Sequence, residues 1–154
     1  ILRPGPVYGP RLANGILELI KVVDAGRWLP LGSIRNRLDF VHIDNLIHAI
    51  EVSAFHPNAA GRAYFVSDDD PTSTPDFIRL VARLLGRPAK LFPCPTPLLR
   101  LAGVAAGRPE AVRRLINSLW IDASRLRREL AWSPSVTLEE GIAATLGWYK
   151  SAKT

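Results

Sequence analysis

The sequence predicts a helix-rich α/β chain with a few short strands, and three observations carry that reading. Apolar residues recur at helical spacing over several segments that open on capping residues or close on glycine. Between them lie short apolar runs, too brief and scattered to form a full sheet by themselves, so they are expected to pair with strands supplied elsewhere. The 154 residues are 47% hydrophobic and 22% charged, enough to build a core and unlike a disordered chain.

In chain order, residues 1–7 read as one strand running into a proline–glycine loop that ends at Pro10. Residues 12–25 read as a helix with Ile16, Leu19, Ile20 and Val23 on its apolar face, stopped by Gly26. A short apolar run, residues 28–31, closes at Gly32 and leads into a mostly polar loop, residues 33–37. Residues 40–43 form the next strand, and Asp44 is placed to cap a helix carrying Leu46, Ile47, Ile50 and Ala54. Residues 63–66 read as a strand entering the acidic turn Asp68-Asp69-Asp70-Pro71. Thr74 followed by Pro75 predicts a helix start, with the helix running to Leu85 and closed by Gly86. Beyond a brief extended pair at Leu91 and Phe92, residues 95–106 and 110–119 read as helices, with Gly103 and Gly107 taken as packing positions. Asp122 is the expected cap of a helix through Leu130, and Thr137 with Glu140 forms a capping box that opens the last helix, ending near Lys150.

A net charge of +6 points to an acidic partner, either a nucleic acid or a small anionic substrate. The arginines are spread from Arg3 to Arg128, without zinc-finger spacing or an RNA-recognition signature, so nucleic acid is not the expected partner. The single cysteine, Cys94, offers neither a disulfide framework nor a zinc site and fits a reducing cytoplasm. No metal site and no membrane partner are expected, and no membrane span either, since the longest small-apolar stretch is interrupted by Arg100. The opening Ile-Leu-Arg-Pro-Gly-Pro reads as a buried strand, which suggests a piece of a longer chain.

None of the glycines has the spacing of a turn that brings backbone amides to a pyrophosphate. Tyr149 and Lys153 have Tyr-x-x-x-Lys spacing, but no serine or glycine-rich turn is placed upstream of them as the chemistry requires. His42, His48 and His56 share no local signature with a nucleophile. No catalytic residue is therefore assigned within the chain.

Six stretches, in order, carry a resemblance. They are Ile1-Leu-Arg-Pro-Gly-Pro-Val-Tyr-Gly-Pro10; Leu29-Pro-Leu-Gly32 with Arg35-Asn-Arg37; Asp39-Phe-Val-His-Ile-Asp-Asn-Leu46; Arg62-Ala-Tyr-Phe-Val-Ser67; Leu85-Gly-Arg-Pro88; and Arg128-Glu-Leu-Ala-Trp-Ser-Pro134 through Trp148 and Tyr149. Together they resemble the C-terminal part of extended short-chain dehydrogenases/reductases, the NAD-dependent epimerase/dehydratase family. The combination of Arg3-Pro-x-x-Val-Tyr-Gly-Pro10 with Ile34-Arg-Asn-Arg37 and Ser73-Thr-Pro-Asp-Phe-Ile78 is most similar to bacterial enzymes of polysaccharide and O-antigen assembly, which act on UDP-N-acetylhexosamines as C4 epimerases or 4-keto reductases.

The resemblance implies that residues 1–154 are the substrate-binding part of an extended Rossmann-type enzyme, with the last sheet strands and a small α/β lobe. The half that binds most of the NAD or NADP, and the catalytic tyrosine and lysine, would lie outside the chain. It further implies Arg3 and Pro4 at the cofactor, and a nucleotide sugar, UDP-linked, held by Tyr8, Asn14, Pro30, Leu31, Arg35, Arg37 and Arg114. Pro30 and Leu31 would lie against the uracil, and Arg37, with Arg35, would hold the diphosphate through a fixed guanidinium fork. His42 and Asp44 are expected to be structural. A homodimer is compatible with the family. Pro6 and Leu38 stand where many nucleotide-sugar enzymes have an asparagine and an arginine, which leaves a 3β-hydroxysteroid-dehydrogenase-like oxidoreductase or a non-catalytic binding fragment as alternatives.

Overall fold

The computed structural model describes residues 1–12 and 15–153, and these fall into two compact units built from alternating stretches of chain. The first unit takes the described residues of 1–14, 39–71 and 120–154, and the second those of 15–38 and 72–119.

In the first unit, residues 1–8 form two short strands rather than the single predicted one: β1 (Leu2–Pro4) and β2 (Val7–Tyr8). Gly5 and Pro6 interrupt the run, and the two strands pair with different partners. β1 pairs in parallel with β4 (Tyr64–Val66), setting Leu2 opposite Tyr64 and Pro4 opposite Val66. β2 pairs in parallel with β3 (Val41–His42), setting Tyr8 opposite His42. Each pair joins segments far apart in sequence, as parallel pairing requires. The helix α2 (Ile43–Phe55) follows β3 directly. Its cap is His42, not Asp44: the His42 ring nitrogen Nδ1 accepts from the Asp44 amide at 3.3 Å, which places Asp44 inside the first turn.

The core of this unit collects Val41, Ala49, Tyr64, Val66, Leu126, Leu130 and Trp132. Trp132, 1% exposed, follows Ala131, whose left-handed backbone (φ 53°) ends α6 (Ser124–Leu130) and turns the chain so that the indole enters the core. A buried tryptophan of this kind stabilises by several kcal/mol, with truncation to alanine costing about 3–5 kcal/mol. Asp122 accepts from the Ser124 amide at 2.9 Å, although the residue at the cap position of α6 is Ala123. The capping box holds as predicted: Thr137 and Glu140 bond reciprocally at the start of α7 (Leu138–Ser151).

In the second unit, α1 (Gly15–Asp24) packs on α3 (Thr74–Leu84). Leu17, Ile20 and Val23 are buried on one helix and Phe77, Ile78, Val81 and Ala82 on the other. Of the predicted face of α1, Ile20 and Val23 are buried and Ile16 and Leu19 only partly so, while Leu17 joins the buried side. The cap of α3 is Ser73, whose hydroxyl accepts from the Asp76 amide at 3.2 Å; Thr74, the predicted cap, is already helical. Leu29 bridges to Leu91, and Leu38 bridges to both Thr72 and Leu119.

The helices α4 (Thr96–Ala105) and α5 (Pro109–Ile116) form a hairpin. Gly103 lets them approach, since an added Cβ would lie 2.7 Å from Val112 Cγ2. Gly107 has a different role from the predicted one. It packs against nothing, and its positive φ of 66° turns the chain between the helices.

Candidate functional site

A polar loop that must leave one helix and reach the next has to satisfy its own backbone groups. Asn36 does this for residues 33–37. Its side chain is buried; Nδ2 faces Thr74 Oγ1 at 3.0 Å and the carbonyls of Leu115 and Asn117 at 3.2 and 3.0 Å, while Oδ1 accepts from the Thr74 amide at 2.9 Å. The Arg37 amide donates to Ser118 Oγ at 3.1 Å, and its carbonyl accepts from Leu119 at 2.7 Å. The backbone between Arg35 and Arg37 is thus pinned to the start of α3 and to the segment after α5. Both arginine side chains are left at the surface.

Those side chains line a cleft of about 560 Å³ with Ser73, Asp76 and Arg79 from α3 and with Ser118. Three arginines and one carboxylate line it, and Asp76 is already engaged: it accepts from Ser73 Oγ at 2.6 Å and from Arg79 at 2.7 Å. The Ser73 hydrogen bond, followed by Arg79, holds the Asp76 carboxyl below its ordinary range and so ionised. The cleft keeps a cationic excess and several hydrogen-bond donors on a fixed backbone. Such an arrangement suits an anion with planar oxygens, the geometry a guanidinium fork meets best.

Of the expected site residues, the second unit brings Arg35 and Arg37 to this one cleft. Leu31 points into the unit's interior, and Pro30 lies half-buried beside the Leu29–Leu91 bridge. Arg114 is exposed in the last turn of α5 and does not line the cleft. Asn14 lies outside the described residues. Asn36, Ser73, Arg79 and Ser118 were not singled out from the sequence. The spacing Ser73-x-x-Asp76-x-x-Arg79 could have flagged one face of a helix start.

In the first unit, Arg3 and Pro4 are exposed on β1, with the Arg3 guanidinium 6.0 Å from the centre of the Phe65 ring. Tyr8 is fully buried, and its hydroxyl faces Asp68 Oδ2 at 3.5 Å. Asp68 also accepts from the His42 amide and from Asn45 Nδ2, both at 2.8 Å. Burial first, and the charges of Asp68 and Asp70 second, push the Tyr8 phenol far above its ordinary value. Burial likewise raises Asp68, outweighing the hydrogen bonds that lower it. A tyrosine used as a base needs the opposite shift, so this phenol stays protonated and acts as a donor within the packing. Among the described residues no group of His, Cys, Asp and Glu could hold a metal ion, and no helix is long and apolar enough to cross a membrane.

No family model matches the chain. It is 36% identical over 146 residues to a UDP-glucose 4-epimerase of Vibrio cholerae, across 94% of this chain and 44% of that protein. It is 28% identical over 173 residues to a 3-beta-hydroxysteroid dehydrogenase of Mycolicibacterium neoaurum, across 96% of this chain and 45% of that protein. Among solved structures, the UDP-glucuronic acid 4-epimerase of Bacillus cereus in complex with NAD superposes with a TM-score of 0.74 at 22% identity, covering all of this chain and 45% of that one. The chain thus spans under half the length of the curated relatives it matches. By these likenesses and its fold, the chain corresponds to the C-terminal portion of extended short-chain dehydrogenases/reductases, the NAD-dependent epimerases and dehydratases.

Proposed function

We propose that this chain is the substrate-binding part of an NAD(P)-dependent enzyme that oxidises and reduces C4 of a UDP-hexose or UDP-N-acetylhexosamine. The observation that carries the reading is the cleft lined by Arg35, Arg37 and Arg79 with one carboxylate, Asp76, in which the two loop arginines stand on backbone pinned through Asn36. Arg37, with Arg35, would take the diphosphate, and Asn14, Pro30, Leu31 and Arg114 would complete the nucleotide contacts. Arg3 and Pro4 would face the cofactor from β1. Pro4 lacks an amide hydrogen and has a fixed φ, so it suits a rigid wall there. Tyr8, expected as a sugar contact, is buried within the first unit and would hold the β2–β3 pair in place. Bound NAD(P) supplies the hydride acceptor and donor, while a tyrosine outside this chain would handle the proton. The whole enzyme would work in the cytoplasm, as a homodimer if it follows others of its kind.

The test is protection of the full-length protein against thermal unfolding by UDP. Protection that disappears in Arg37→Ala supports the reading, and no protection by any nucleotide sinks it. The likeness to a 3-beta-hydroxysteroid dehydrogenase favours a second reading, a dehydrogenase of an apolar alcohol. That reading predicts protection by a steroid and indifference to Arg37→Ala.

A further inference from the structure

A helix that is apolar around its whole circumference ordinarily sits in a core or in lipid. Apart from Arg100 and the threonine that opens it, α4 is such a helix, Thr-Pro-Leu-Leu-Arg-Leu-Ala-Gly-Val-Ala, yet it is buried only through Leu99 and Gly103, the face turned to α5. Leu98, Leu101, Ala102 and Ala105 follow the i, i+3, i+4, i+7 stripe on another face and are exposed. Leu98 is 56% exposed, Leu101 66% and Val104 64%, far more than an apolar face on a finished surface needs.

The charges around this stripe select what covers it. Between Phe92 and Leu119 the chain carries Arg100, Arg108, Arg113 and Arg114 against a single acid, Glu110, which pairs with Arg113 at 3.0 Å. A groove of about 320 Å³ between α4 and α5 is lined by Arg100, Val104, Pro109, Arg113 and Asn117, so two arginines share it with the exposed Val104. A second copy docking through this face would bring arginine against arginine, which like-charge repulsion disfavours. A surface that is anionic outside and apolar beneath meets both parts of the pattern. At ten residues α4 is about 15 Å long, too short to span a bilayer, so it would lie along the interface.

We infer that the α4–α5 hairpin is a peripheral docking element for anionic membranes: lipid phosphates sit in the Arg100–Arg113 groove, and acyl chains meet Leu98, Leu101 and Val104. This goes beyond the proposed redox chemistry and does not rest on it. The experiment is co-sedimentation of the full-length protein with phosphatidylcholine vesicles, with and without phosphatidylglycerol. Binding is expected only to the anionic vesicles and should weaken with added salt. Leu101→Ser with Val104→Ser should weaken it on the order of tenfold, and Arg100→Glu with Arg113→Glu by at least as much, since each basic residue near such a surface contributes about fivefold. Both pairs are exposed, so unchanged melting temperatures should show the fold intact. The inference is overturned by absent binding, by equal binding to neutral vesicles, or by folded variants that bind as the parent does. It is also overturned if sedimentation shows that the Ser variants dissolve a dimer while leaving lipid binding intact.

Discussion

Replacing Asn45 by aspartate keeps the shape of a fully buried side chain and removes its ability to donate. In the native protein Nδ2 donates to Asp68 Oδ1 and to the Val136 carbonyl, both at 2.8 Å, and Oδ1 accepts from the amides of Ser135 and Val136, each at 3.0 Å. The side chain therefore ties α2 to the segment before α7 and gives Asp68 one of its compensating donors. Asn45→Asp would set two carboxylates against each other. At a separation of about 4 Å and an effective dielectric of about 20 they repel by about 4 kcal/mol, before the lost hydrogen bonds are counted. The pair escapes by retaining one proton, so its apparent pKa rises above the unfolded value of about 3.9. The native state then binds more protons than the unfolded chain in the window above that value. The deficit relative to the parent should grow as pH rises through the window and be smallest below it. Burial raises Asp68 in the parent too, in the same direction, so the difference between the two proteins is the quantity to read. With each kcal/mol worth about 2–4 °C, melting followed by circular dichroism should show a drop of about 10 °C near neutral pH that narrows in acid. Asn45→Ala should cost about 3 kcal/mol, and its deficit should also grow with pH, less steeply than that of Asn45→Asp, because Asp68 loses a donor that favours its charged form. A deficit for Asn45→Asp that does not change with pH, or an alanine variant that melts with the parent, would refute the account.

Three further outcomes follow from the geometry. Asn36→Ala should remove the bonds to Thr74, Leu115 and Asn117, destabilise the protein by about 2–3 kcal/mol, and weaken nucleotide protection more than the fall in stability alone explains. Thermal shifts with and without UDP separate the two effects. Gly141→Ala should cost about 1–3 kcal/mol, because its Cβ would lie 2.7 Å from both the Tyr8 hydroxyl and His42 Cδ2, and denaturant unfolding would read it. Gly107→Ala should lose about 1–2 kcal/mol to left-handed strain, with Gly107→Asn recovering part of it, because nothing crowds that position. Equal losses in the alanine and asparagine variants would mean that packing, not backbone conformation, selects glycine there.

What the sequence made legible follows local physics. The capping box at Thr137 and Glu140, the burial of Ile20 and Val23 on α1 and the stop at Gly86 are each decided by residues within a turn or two of one another. The misread features depend on distant partners. Residues 1–8 looked like one strand because the pattern carries no sign that β1 and β2 pair with segments some sixty and thirty-five residues away. Asp44 and Thr74 were plausible caps by type, yet the neighbouring residue, His42 or Ser73, has the extended backbone that a cap needs. At the cleft, Arg35 and Arg37 were legible through family resemblance. Arg79 was not, because its place beside them depends on Asn36 gripping the start of α3.

The alternation of the two units along the chain has a consequence for biosynthesis. Leu126, Leu130 and Trp132, central to the first unit's core, are made after all of the second unit's residues, whereas β1 is made before them. As the chain leaves the ribosome, that unit cannot close its core until residues 120–132 have emerged. By then all of the second unit's residues have already been made. Premature termination before Trp132 would therefore leave a product that is part folded and part adhesive, with β1 and β4 pairing over an open core. Residues 120–132 thus decide whether the stretches of the first unit made before them can close into a core.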